Sequence, residues 1–426
     1  MSDRPEDACT EKVLRLKKSN TMTSDPRTAS DQLKPRRLII LGSTGSIGVG
    51  VLDVVEHLSI AEGAGPTFEI VGLAAGRRAD VLETQALKFG VKDLALAEIS
   101  AAAAVGKDRS LRTGPDAALE LIQDIARPGD LVVAAMVGAA GIPSVLAAID
   151  QGCDIALANK ETLVAAGELV TAAATRRGVA ILPIDSEHAA LHQCLRAGRG
   201  PEEVSRLVLT ASGGPFRTWP IERVRNATVK EALDHPTWKM GPKVTIDSAT
   251  MMNKGLELIE AHWLFGIDAD RLDAVIHPQS VVHSFVEFTD GSSLAQLSPP
   301  DMRMPIQYAL CYPHRVPGCA PKIDYSQLRE LVFEPVDHAR FPSVRLALRA
   351  IRAGGTAGAI FNAANEVAAE SFCTGGMPFG RIAEVVADVI DQIAPTAATE
   401  LDSILAADAE ARAAARSHAA IVTTRV

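Results

Sequence analysis

The sequence predicts an α/β protein: a doubly wound parallel sheet first, an α+β middle next, and a helical C-terminal part. Three observations predict it. From Arg37 onward, short apolar runs alternate with stretches of helical period, the pattern of βαβ units. A glycine-rich turn, GSTGSIG, joins the first apolar run to the first helical stretch. After about residue 185 the alternation breaks, and from Ser343 the chain is Ala-rich with helical period.

The elements follow in order. RLIIL is a strand, VGVLDVVEHL a helix and FEIVGLAAG a second strand. DLVVAAMVG and DIALANKE are two more strands, separated by the helical IPSVLAAIDQG, and GVAILPIDSE is another. SRLVLTASGGPF is a strand running into a Gly-rich loop. HPTWKMGPKVTIDSATMMNKGLELIEAHWLF reads as a loop, a short strand and a helix. AVIHPQSVVHSFVEFTDGSSLAQL reads as strands joined by a turn at Asp290-Gly291. A connector containing several prolines spans about Pro313 to Asp337, and EVVADVIDQI and ILAADAEARAAARSHAA are helices.

With 426 residues the chain suggests two or three domains, and its net charge of −9 argues against a general nucleic-acid surface. The six cysteines show no C-x-x-C spacing, so they read as reduced thiols of a cytoplasmic protein. No apolar run approaches the ~18 residues of a membrane span. The first 36 residues are polar and mix acids with bases, which reads as a disordered extension, with Met22 as an alternative start.

Three groups of residues carry chemistry. In GSTGSIG the glycines are Gly42, Gly45 and Gly48, placed where a Rossmann-type sheet holds a pyrophosphate at a helix N-terminus. At the end of the second strand, Gly76 is followed by Arg77 and Arg78 where an NAD site would place an acid. Guanidinium groups suit a 2′-phosphate and predict NADPH, although Asp80 follows close behind. In PIDSEHAA, Asp185 and Glu187 would share one face of a strand and converge on a divalent cation. The competing readings are a solvated loop with two acids and a helix start with Asp185 or Ser186 as the cap and Glu187 in the first turn. Glu257 or Glu260, from NKGLELIE, could add a third carboxylate and complete a hard oxygen site. Ser212, His235, Ser248, Asn253 and Lys254 are donors of the kind a phosphate needs.

Together, ILGSTGSIG, ALANKETLV, LPIDSEHAA, SGGPFR, HPTWKMGPKVTIDSATMMNKGLELIEA, IHPQSVVHS and NAANE, in this order, closely resemble the 1-deoxy-D-xylulose 5-phosphate reductoisomerase family of the non-mevalonate isoprenoid route, over about residues 37 to 420. The resemblance implies that Asp185, Glu187 and Glu257 bind a divalent cation (Mg²⁺, Mn²⁺ or Co²⁺), choosing Glu257 over Glu260. It implies that Lys160, Ser186, Glu187, Ser212, His235, Ser248, Asn253, Lys254 and Glu257 contact substrate. Thr44, Gly45, Ser46, Ile47, Gly76, Arg77, Arg78, Asn159, Glu161 and Gly241 would contact NADPH. Trp238 and Met240 would lie in a closing loop, and His283 and Met302 close to the active site. Lys160, Asp185, Glu187, Glu257 and His235 are the expected catalytic set. Where the family often has Asn or Ser this chain has Arg78, and Thr162 replaces a common Ser. Residues 1–36 have no counterpart in short bacterial members.

The division this implies is an extension over 1–36, an NADPH-binding domain over 37–185, a catalytic and dimerisation domain over 186–312, a connector over 313–337 and a helical domain over 338–426. The expected reaction is a metal-assisted skeletal rearrangement of a keto-sugar phosphate followed by hydride reduction. The expected assembly is a homodimer. Competing readings are a semialdehyde- or homoserine-type reductase, a metal-dependent isomerase or aldolase without a redox step, and an NADPH-sensing binding protein.

Overall fold

The computed structural model describes residues 35–60, 66–238 and 240–420. The extension read over 1–36 and the alternative start at Met22 therefore lie almost wholly outside the described residues, which open at Pro35.

Seven parallel strands form the first sheet: β1 (Arg36–Leu41), β2 (Phe68–Ala75), β3 (Asp93–Leu96), β4 (Ser110–Thr113), β5 (Leu131–Ala134), β6 (Asp154–Leu157) and β7 (Ile181–Pro183). Their order is β4-β3-β2-β1-β5-β6-β7. The central strands are apolar and buried on both faces, as a sheet covered by helices on each side requires. The covering helices here are α1 (Ser46–Ile60), α2 (Ala79–Phe89), α3 (Ala117–Ile125), α4 (Ile142–Asp150) and α5 (Lys160–Arg177). The order reverses between β1 and β5, so the ligand crevice of such a sheet opens above β1. The sequence reading missed β3 and β4. Each has four residues, and edge strand β4, with no fully buried residue, carries no periodic apolar signal.

The middle of the chain continues through α6 (Ser186–Leu195), the one-turn helices α7 (Ile221–Val224) and α8 (Val229–Ala232), then α9 (Pro242–Ala249), α10 (Met252–Phe265) and α11 (Arg303–Cys311). Its sheet runs β11-β10-β8-β9-β12, from β8 (Val204–Ala211), β9 (Leu272–Ile276), β10 (Val282–Phe288), β11 (Ser293–Leu297) and β12 (Glu334–Pro335). One expectation fails here. KVTID is not a short strand but the body of α9, started by Pro242 in its first turn. Its β-branched residues tolerate the helix because Ile246 and Ala249 are buried against the C-terminal helices.

Those helices are α12 (Ser343–Ala353), α13 (Ala357–Cys373), α14 (Arg381–Gln392) and α15 (Leu401–Ala420). Helix α13 is buried on nearly all sides. At Gly358 a Cβ would stand 2.0 Å from the Val164 carbonyl, and at Gly167 one would stand 2.2 Å from the Trp263 ring. Helix α5 is thus held in backbone-close contact between α13 and α10.

A part-buried pair joins α6 to α11. The Tyr308 hydroxyl donates to His192 Nδ1 over 2.7 Å. Burial, then the nearby Arg196, pushes the His192 pKa down to about 4. Because the folded value lies below the unfolded one, stability present above about pH 6.5 is lost as pH falls toward 4, by about 3 kcal/mol. Urea unfolding between pH 7 and 4 is expected to show this slope. In His192→Gln, whose amide oxygen still accepts but does not protonate, the slope should be shallower.

Candidate active site

Strand β1 ends at the glycine turn. Gly42 has φ +90°, and a Cβ there would lie 2.4 Å from the Ala135 carbonyl. A Cβ at Gly48 would lie 2.4 Å from the Gly42 carbonyl. Both positions are therefore glycine for packing. Gly45 meets only the Gly42 carbonyl, at 3.3 Å. Beyond it, Ser46 and Ile47 open α1 and line the large cavity, so the first-turn amides of α1 are placed for an anion. Thr44 is buried in the turn. Beside it, Gly76, Arg77 and Arg78 are exposed after β2, and neither guanidinium has a partner among the described residues. Asn159 is the buried N-cap of α5. Its oxygen accepts from the Thr162 amide and its nitrogen donates to the Gly138 carbonyl, so its side chain is committed to the fold. Glu161 is buried next to it, its carboxyl raised by burial against the opposing pull of Lys243.

The carboxylates come next. Asp185 is not in a strand; it is the N-cap of α6, and its side chain accepts from the Glu187 amide. The capping reading of the sequence is therefore correct as geometry. It does not compete with the cation reading, because a capping acid and an acid in the first turn also converge. Oxygens of Asp185, Glu187 and Glu257 all lie within 4.8 Å of one another. Lys160 Nζ reaches Asp185 Oδ2 at 2.8 Å, Asn253 Oδ1 at 2.8 Å and Glu257 Oε1 at 3.1 Å. Lys254 Nζ reaches Glu187 Oε1 at 2.7 Å and also the other Glu257 oxygen. Burial opposes the charge on Asp185, but Lys160 and His188 overcome it and hold the carboxyl well below the usual range. Glu257 is pushed up by burial and by Glu187 even with both ammonium groups in contact. Three acids share two cations there, so the set has the hard donors and the residual negative charge that a divalent cation fits. Glu257 lines the cavity; Glu260 lies behind it, where its Oε2 stands 3.3 Å from His188 Nδ1. His188 Nε2 in turn donates to the Glu257 carbonyl over 2.8 Å. Sequence reasoning missed His188, whose only signal is its place beside the acids in DSEH.

The candidate anion donors begin at the tip of β8. His235 Nδ1 accepts from the Thr237 and Trp238 amides at 3.1 and 2.9 Å, so Nε2 carries the proton and donates to Ser212 Oγ over 3.0 Å. The Gly214 amide also donates to Ser212 Oγ. With two donors on its oxygen, the hydroxyl hydrogen of Ser212 is free for a ligand. Ser248 closes α9 here, while Asn253 and Lys254 open α10. Trp238 and Met240 line the cavity, and the Trp238 ring lies 6.4 Å from the His283 ring.

The cavity holds about 380 Å³ and brings together Lys160, Asp185, Ser186, Glu187, Ser212, His235, Gly241, Ser248, Asn253, Lys254 and Glu257, with His283 and Met302 at its wall. Thr44, Gly45, Gly76, Arg77, Arg78, Asn159 and Glu161 lie outside its lining. The sequence reading missed Thr210, Met251 and Ser280, which line it as well.

Profiles described as 1-deoxy-D-xylulose 5-phosphate reductoisomerase match residues 38–167 and, for its C-terminal domain, residues 181–265; a third, described as the DXP reductoisomerase C-terminal domain, matches 297–414. A protein of Symbiobacterium thermophilum named 1-deoxy-D-xylulose 5-phosphate reductoisomerase is 52% identical over 89% of this chain and 97% of its own length. One of Rhodococcus jostii with the same name is 50% identical over 91% and 95%. A solved DOX-P reductoisomerase in complex with NADPH, fosmidomycin and magnesium superposes with a TM-score of 0.84 at 39% identity, covering 91% of this chain and 99% of that one. The Zymomonas mobilis reductoisomerase in complex with NADPH gives 0.82, also at 39% identity and the same coverage.

Proposed function

From the premise that the chain belongs to the 1-deoxy-D-xylulose 5-phosphate reductoisomerase family, we propose a division of labour among its residues in converting 1-deoxy-D-xylulose 5-phosphate to 2-C-methyl-D-erythritol 4-phosphate with NADPH. The observation that carries it is one cavity lined both by three convergent carboxylates and by a set of anion donors.

Asp185, Glu187 and Glu257 would hold the divalent cation, which supplies Lewis acidity to the substrate's carbonyl and hydroxyl oxygens while NADPH supplies the hydride. Lys160, oriented by Asp185, Glu257 and Asn253, points a fixed ammonium at the same oxygens. Ser212, His235 and Ser248 bind the phosphate and act through orientation, while Asn253 and Lys254, which also hold the carboxylates, contact the substrate beside the cation. Trp238 and Met240 cover the cavity and exclude water while the carbon skeleton rearranges. Ser46, Ile47 and the exposed Arg77 and Arg78 take the phosphates of NADPH, the arginines the 2′-phosphate. The deep placement of Asn159 and Glu161 gives them the task of shaping the nicotinamide wall from behind.

Residues 37–185 then form the nucleotide unit, 186–312 the catalytic unit, 313–337 the connector and 338–426 the helical support. No described helix is long and apolar enough to cross a membrane. We assign a cytoplasmic homodimer, on the spread of free thiols and the family likeness; light scattering checks the assembly.

The test is NADPH absorbance decay with 1-deoxy-D-xylulose 5-phosphate, run with Mg²⁺, with Mn²⁺ and with a chelator. Substrate- and metal-dependent oxidation supports the reading; NADPH binding without oxidation overturns it. In the same assay Arg77→Ala with Arg78→Ala is expected to raise KM for NADPH about tenfold and leave KM for NADH within about twofold. An equal preference for the two cofactors in the unaltered protein would remove the arginine assignment.

A further inference from the structure

The NAANE motif lies on α13, outside the cavity, and the mechanism above gives it no task. Asn365 is fully buried, and its Nδ2 donates to Asp247 Oδ1 over 2.9 Å. Asp247 is itself 2% exposed, and its other oxygen takes the ammonium of Lys243 from the first turn of the same helix, α9. Helix α9 already has an apolar seam against the C-terminal helices through Ile246 and Ala249. A carboxylate and an amide in such a seam carry a desolvation cost that apolar residues of similar size would not. What they add is one permitted position, because a hydrogen bond is directional and apolar contact tolerates sliding.

That position matters one residue on. Ser248 follows Asp247, and its carbonyl packs so closely on Gly214 that a Cβ there would stand 2.7 Å away. The Gly214 amide in turn donates to Ser212. A shift of α9 along its axis would therefore move Ser248 against Ser212 and His235. We propose that Asn365 is a positioning residue: through Asp247 it fixes the axial position of α9, and with it the geometry of the anion donors Ser212, His235 and Ser248. The proposal rests on the reading of those donors as the phosphate site.

Two variants of the full chain test it. Asn365→Leu replaces the amide with an apolar group of similar size. The exchange Asn365→Asp with Asp247→Asn restores one amide–carboxylate hydrogen bond in reverse. Calorimetry with inorganic phosphate reads the site without turnover, and steady-state kinetics read KM and kcat. Asn365→Leu is expected to weaken phosphate binding and raise substrate KM about tenfold, with kcat and KM for NADPH within about twofold. The exchange also takes the carboxylate from Lys243, so recovery of part of the loss is expected and supports the proposal. A fall in thermal stability with phosphate affinity unchanged would make the role structural only and overturn the proposal. If Asn365→Leu does not fold, Asn365→Ser carries the same comparison. Phosphate titration needs no reaction, so failed turnover in the unaltered protein would sink the assigned activity and leave this comparison readable.

Discussion

Glu257→Gln is expected to lower kcat about a thousandfold, or ~4 kcal/mol of transition-state stabilisation, while NADPH affinity stays within about twofold. Glu257 is 1% exposed, and its two oxygens are divided between Lys160 and Lys254. Glutamine keeps the volume and removes the charge. Lys160 still has Asp185 and Lys254 still has Glu187, so neither ammonium is stranded and the fold should survive. What is lost is the third hard donor of the cation site. Mn²⁺ affinity, followed by electron paramagnetic resonance without substrate, should weaken at least about tenfold. Turnover like that of the unaltered protein would remove Glu257 from the cation site.

Lys254→Met should cost both stability and activity. The ammonium is 3% exposed as a residue and touches Glu187 and Glu257. Burial disfavours its charge, but Glu187 and then Glu257 overcome that and raise its pKa. Removing one partner of a buried pair strands the other, and the cost is about 3–5 kcal/mol. In a chelator the variant should unfold at lower denaturant than the unaltered protein. Mn²⁺ should restore more stability to the variant than to the unaltered protein, because the uncompensated carboxylates bind it more tightly. Substrate KM should rise about a hundredfold, since a charged substrate contact beside the cation site is lost. Equal unfolding midpoints in chelator would show that Lys254 does not balance the acids.

The parts of this molecule that were legible in the sequence are those whose chemistry is local. GSTGSIG declares itself because Gly42 and Gly48 have no room for a Cβ. Asp185 and Glu187 were visible as a pair, though the strand geometry first given to them was wrong: the chain turns at Ile184, and Asp185 caps a helix. Helix α9 was misread because VTI has the composition of a strand, and only burial against α13 decides otherwise. His188 beneath the acids and Asn365 beneath Asp247 were not legible, because each acts on a residue brought to it by tertiary packing.

The ties that close the cavity are long in sequence. Lys160 meets Glu257 across 97 residues, and Asp247 meets Asn365 across 118. Synthesis delivers the N-terminal sheet first. While the ribosome is still translating the middle of the chain, Lys160 and Asp185 are already made, and Lys160 still lacks its later partners Asn253 and Glu257 from α10. The complete centre therefore needs late parts of the chain: Lys160 meets Glu257 only once α10 has been made, and Asp247 meets Asn365 only once α13 has been made.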